Sequence, residues 1–256
     1  MRVKYDKISP GGISMKTIRI LKVEYRNLPL YENGTFSFNF MASDRVTDKT
    51  QVFPIQRSIY TQKLEAIIGI NASGKTSSLK LLFFAMSIVL NNATLNDKNL
   101  LGKELLRDGT EITITFICDN MCWQLRSIIG IKKDNADANR LYYKDEFLSG
   151  KSLQDIRSKD DPFRYDTCDS GKQKCQFMQR STISKETLAM MLPDTSISLS
   201  ITRDADTSLQ QLILFTNVNI SVARGATDPA ILHAFDPMLD EFNAKDSDDG
   251  IVYTIR

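Results

Sequence analysis

Gly69, Gly74, Lys75 and Thr76 stand at the spacing G-x-x-x-x-G-K-[ST] within EAIIGINASGKTSSLKLLFFAMSIVL, which begins at Glu65. This pattern is the signature of a loop that wraps a nucleotide phosphate chain. The two glycines open the backbone for close approach, and Lys75 places an ammonium near the β and γ phosphates. The Thr76 hydroxyl is placed to ligate Mg²⁺. Asn71, Ala72, Ser73 and Ser77 complete the cradle, whose backbone N–H groups would face the anion beside the positive end of the following helix. At average composition the pattern arises by chance in a chain of this length about once in a hundred. The bland reading, a flexible turn that merely exposes a lysine, is therefore disfavoured. By contrast, DSGKQK at Asp169 lacks the upstream glycine and reads as an ordinary loop.

A phosphate loop needs a strand before it and a helix after it. The short apolar run from Leu64 to Ile68 reads as a buried strand and Thr76–Leu90 as a helix, apolar around most of its circumference and ended by Asn91-Asn92. Upstream, TIRILKVEY from Thr17 and TFSFNFMAS from Thr35 alternate as strands, with Asn33-Gly34 as a hairpin turn between them. EITITFICD from Glu111 and MCWQLRSIIGI from Met121 predict a second hairpin around Asn120, followed by a strand at RLYYKD from Arg140. Residues 147–180 turn polar and read as an exposed insertion or arm. Further on, ISKETLAMMLP predicts a helix, SISLSI from Ser196 a strand, DTSLQQLILF a helix, NVNISVA a strand, and GIVYTIR the start of another. The expected division is 1–16 as an N-terminal extension, 17–146 as a core holding the phosphate loop, 147–180 as the insertion and 181–256 as a continuation of the core domain.

The chain has 256 residues, enough for a substantial core. Its 33 basic and 31 acidic side chains give a formal charge of +2, which supplies no electrostatic case for a DNA or membrane partner. Cys118, Cys122, Cys168 and Cys175 do not match the paired arms of a zinc site. The opening residues lack a secretory core, and the apolar stretch Leu79–Leu90 is too short to span a bilayer. A cytoplasmic location is the simplest expectation.

The form GINASGKTS, preceded by TIRILKVEYRNL, resembles the ABC-type ATPases of the SMC, RecF and OLD-like group, including stand-alone bacterial AAA-type ATPases. Tyr25-Arg26-Asn27-Leu28 fits that group's strand-end element with tyrosine in place of phenylalanine, and Asn71 holds its characteristic loop position. The resemblance implies an α/β P-loop NTPase fold, with an ABC-ATPase-like mixed sheet, an antiparallel β subdomain and a polar insertion. It also implies ATP and Mg²⁺ as cofactors and an ATP-gated homodimer. Relatives of that kind act on DNA ends or in bacterial phage and plasmid defence, often beside an effector nuclease or toxin.

Several family parts are not identifiable. There is no LSxG-type signature, no apolar strand ending in Asp-Glu, and no histidine switch after it. Asp240 and Glu241 follow Pro237, which suits a surface helix or loop better than a central strand, and His233 lies on the wrong side of them. Hydrolysis is thus expected to require a completing C-terminal segment. The competing expectation is a non-catalytic, nucleotide-responsive scaffold. A GTPase is disfavoured by the lack of an Asn-Lys-x-Asp motif.

Overall fold

The computed structural model describes residues 16–31, 33–42, 45–57, 59–63, 65, 67, 74–133, 139–165, 175–183, 192–203, 205–206, 242–247 and 250–255. Chain contacts divide it into two units, one of Met1–Glu65 with Leu81–Gln211, the other of Ala66–Lys80 with Leu212–Arg256.

The first unit is built on a seven-stranded sheet. Its strands are β1 (Lys16–Arg26), β2 (Thr35–Asn39), β5 (Glu111–Cys118), β6 (Met121–Lys133), β7 (Asn139–Ser152), β8 (Gln176–Gln179) and the two-residue β9 (Ala205–Asp206). The order is β2-β1-β5-β6-β7-β8, with β9 beside the start of β1. Every pairing is antiparallel except that of Lys16 and Thr17 with Ala205 and Asp206.

This overturns the expected α/β P-loop fold with a mixed sheet. Two-residue turns such as Asp119-Asn120, where Asp119 takes φ 56°, return the chain directly into antiparallel register. A parallel neighbour would require a crossover of a dozen residues or more.

Alternation decides which face each side chain covers. Ile18, Ile20, Val23 and Tyr25 share one face, continued by Ile112, Ile114 and Phe116 on β5. A bulge between Ile20 and Lys22 keeps the phase across the strand. The opposite face holds a cluster of Leu21, Met41, Ile59, Ile117, Cys122 and Ile156. Part of its cover is a small hairpin, β3 (Val52–Gln56) with β4 (Ile59–Gln62), which sequence reading did not find.

Helix α1 (Lys75–Leu90) agrees with the expected segment, and Leu81–Leu90 is buried apart from half-buried Phe83. Each fully buried leucine, isoleucine or phenylalanine there contributes about 1.5–3 kcal/mol. Asn92 at φ 51° ends the helix as expected, and the Ala93 N–H turns back to the Ser87 carbonyl at 3.0 Å.

Other expectations change. Between β1 and β2, Gly34 at φ 64° takes the left-handed conformation and Asn33 does not, while Asn27 does so at φ 62°. The connection is therefore a wider loop closed by Leu28 N–H to Gly34 O at 2.9 Å. The expected exposed arm at 147–180 instead begins inside β7 and contains buried Leu148, Lys151, Ile156 and Tyr165. SISLSI forms no strand; its end is the short helix α2 (Leu199–Thr202). Of the strand expected at Leu64–Ile68, Glu65 and Ile67 lie outside any strand and the rest falls outside the described residues. Apart from Ile183 and Asp206, the expected elements at ISKETLAMM, at DTSLQQLILF and at NVNISVA, together with His233, Pro237, Asp240 and Glu241, also lie outside them.

In the second unit, the expected strand at GIVYTIR is β11 (Gly250–Ile255), paired antiparallel with β10 (Phe242–Ser247).

Candidate phosphate-binding site

Gly74, Lys75, Thr76 and Ser77 are the candidate site residues that the structure describes; Gly69, Asn71, Ala72 and Ser73 lie outside the described residues. Gly74 sits at φ 83°, in the left-handed region, with no atom within 4 Å of where a Cβ would stand. Backbone conformation, and not crowding, is what calls for glycine here. Its carbonyl accepts the first helical bond, from the Ser78 N–H at 2.8 Å, so Gly74 is the cap and Lys75 the first helical residue.

The first N–H groups of a helix point outward along its axis, here those of Lys75, Thr76 and Ser77. They lie at the positive end of a 16-residue helix with no acidic side chain in its first turn. Thr76 is exposed, and Lys75 and Ser77 are half-buried. The arrangement can take an anion on backbone donors with the Thr76 hydroxyl at its margin. Among the described residues no group of three or more His, Cys, Asp or Glu could hold a metal ion. A hydroxyl ligand for Mg²⁺ needs no such group, since the remaining positions go to phosphate and water.

The strand-end element Tyr25-Arg26-Asn27-Leu28 shapes the first unit. The Tyr25 hydroxyl donates to the Leu81 carbonyl at 2.8 Å, tying β1 to helix α1. Burial pushes this phenol well above its ordinary value. Asn27, left-handed, is clasped by Arg107: Nε donates to the Asn27 carbonyl at 2.9 Å and Nη2 to Asn27 Oδ1. Gly109 at φ 80° lets that clasp close, because a Cβ there would stand 3.3 Å from Asn27 Nδ2. Leu28 is buried and Arg26 exposed.

Sequence reading missed a buried ion pair on the same sheet face. Glu146 on β7 receives Arg180 Nη1 at 2.7 Å, Ser196 Oγ at 2.7 Å and the Ile197 N–H at 3.1 Å. Desolvation raises the Glu146 carboxyl, and these donors oppose the rise. Arg180 also donates to Thr195 O at 2.8 Å, so the pair fastens the 192–198 segment to the sheet. The available signal was weak: Glu146 sits in a strand whose alternation is broken by the bulge beside Asp145.

Cys118 and Cys122 are buried and not in disulfides, and burial raises the Cys122 thiol to about 11. Cys175 is disulfide-bonded, which the expected cytoplasmic location did not anticipate. Among the described residues, no helix is long and apolar enough to cross a membrane.

No protein-family model matches the chain, and neither a curated protein nor a solved structure does.

Proposed function

We propose that residues 69–77 bind a nucleoside triphosphate, ATP with Mg²⁺, through the backbone N–H groups at the start of helix α1. The supporting observation is the left-handed Gly74 at φ 83° immediately before Lys75, where a 16-residue helix begins. With the G-x-x-x-x-G-K-[ST] spacing, it favours a phosphate cradle over an exposed turn. Lys75 neutralises the β and γ phosphates, and Thr76 ligates the metal.

The resemblance to SMC, RecF and OLD-like ATPases extends this reading to an ATP-binding portion of such an enzyme, with ATP-gated association and a role in phage or plasmid defence. That extension rests on the residues of the motif and not on the antiparallel sheet.

Magnesium dependence tests the assignment. Thr76→Ala should weaken ATP binding more with Mg²⁺ present than with EDTA, and ATP should compete at least as well as GTP for the site. Equal losses under both conditions would contradict the metal role of Thr76. Preference for GTP would contradict the choice of nucleotide. Phosphate release by the 256-residue chain, measured beside binding, separates an enzyme from a nucleotide-responsive scaffold, since holding the ground state does not itself accelerate cleavage.

A further inference from the structure

We infer that the cavity at the Lys133 and Asn139 end of the β6–β7 ribbon binds an organic phosphate of nucleotide size, separately from the loop at Gly69–Ser77. The cavity measures about 700 Å³, within the range of small-molecule sites. Lys132, Lys133 and Arg140 line it together with Leu192, Asp194 and Asn96.

Lys132 and Arg140 are direct cross-strand partners, and both are exposed. With Lys133 on the adjoining residue they give this wall of the cavity its positive charge, which suits a phosphate.

The other wall is of different chemistry. Leu192 is 63 % exposed, a large apolar side chain left open to solvent. Asp194 is buried and held by Asn96 Nδ2 at 2.9 Å. Asn96 is itself fixed by the backbone of Leu141, accepting its N–H at 3.0 Å and donating to its carbonyl at 2.8 Å. A carboxylate accepts several hydrogen bonds, so Asp194 retains capacity for an N–H donor on a ligand. A bare phosphate against Asp194 would be repelled. A molecule with a phosphate at one end, and an apolar ring bearing an amino group at the other, satisfies both walls.

The test uses AMP, adenosine and inorganic phosphate as calorimetric probes of the full chain carrying Lys75→Ala, which removes the loop lysine from the reading. AMP should bind, with adenosine and inorganic phosphate each at least about tenfold weaker. Lys132→Glu combined with Arg140→Glu should lower AMP affinity at least about tenfold with an unchanged circular dichroism spectrum. If charge reversal perturbs folding, Leu192→Ser supplies the reading, weakening AMP and leaving inorganic phosphate unchanged. The inference is overturned if the Lys75→Ala chain does not bind AMP, if inorganic phosphate binds as tightly as AMP, or if AMP affinity is indifferent to Lys132, Arg140 and Leu192.

Discussion

The hydroxyl of Tyr25 donates to the carbonyl oxygen of Leu81 across 2.8 Å, joining an interior strand to the helix that begins at Lys75. Leu81 lies on the second turn of α1, and its carbonyl is also positioned for the ordinary helical bond from Ala85 four residues on. Removing the hydroxyl therefore leaves no orphaned acceptor. Tyr25→Phe should lower stability by about 0.5–1.5 kcal/mol, read as a lower urea midpoint at unchanged slope. Tyr25→Ala, which empties a buried ring site, should cost about 3–5 kcal/mol. Equal losses from both variants would show that the hydroxyl, and not ring packing, dominates.

Glu146 and Arg180 should behave as one unit. Glu146→Ala leaves a guanidinium that is almost fully buried without its carboxylate, and Arg180→Ala strands the carboxylate in turn. Each should cost about 3–5 kcal/mol. Glu146→Ala and Arg180→Ala together should lose less than the sum of the two. Additive losses in that double-mutant cycle would contradict the direct coupling.

Gly150 faces the single tryptophan of the chain across the β6–β7 pairing. A Cβ at residue 150 would stand 2.3 Å from Trp123 Cζ3, so Gly150→Ala must displace the ring. The expected cost is about 1–3 kcal/mol, accompanied by a shift in tryptophan emission. An unchanged spectrum and urea midpoint would show that the ring does not lie over Gly150.

Alkaline pH should unfold the protein through its buried phenols. Burial raises Tyr25, Tyr143 and Tyr165 above the ordinary tyrosine value. The folded chain keeps these protons above about pH 10, where unfolded tyrosines release theirs. With more protons bound in the folded state, stability falls as pH rises through that range. Absorbance at 295 nm should show part of the eight tyrosines titrating only as far-UV circular dichroism is lost. Complete titration with the spectrum intact would contradict their burial.

The parts of the fold that sequence reading found share a simple physical signal. β5 alternates in sequence, β1 does so on either side of its bulge, and α1 carries a long apolar run. The remainder was hidden where side chains are used against type. The end of β7 reads as polar because Lys151 is there, yet Lys151 is buried, with Nζ donating to Asp161 O and to Arg164 O at 2.6 Å. Gly150 looks like a turn and instead makes room for Trp123. Ser196 and Ser198 mimic strand alternation, but the Ser196 hydroxyl is spent on Glu146 and receives Ser198 Oγ at 3.0 Å. Pro54 disguised β3, whose hairpin pairing shifts register beside it. At the candidate site, the lysine and threonine positions and the helix behind them were legible, because the motif names its own conformational demands. The fold around them was not, since the motif says nothing of how distant strands pair.

Binding of MgATP to the wild-type chain and to Lys75→Ala, compared by calorimetry, tests the central claim most directly. Lys75 opens a helix and contributes little to the core, so its truncation should leave the circular dichroism spectrum intact. The wild type should bind MgATP, and Lys75→Ala should lose at least about tenfold in affinity, about 1.4 kcal/mol. Equal affinity in two well-folded chains, or no binding by the wild type, would contradict the assignment of Gly69–Ser77 as a nucleotide site.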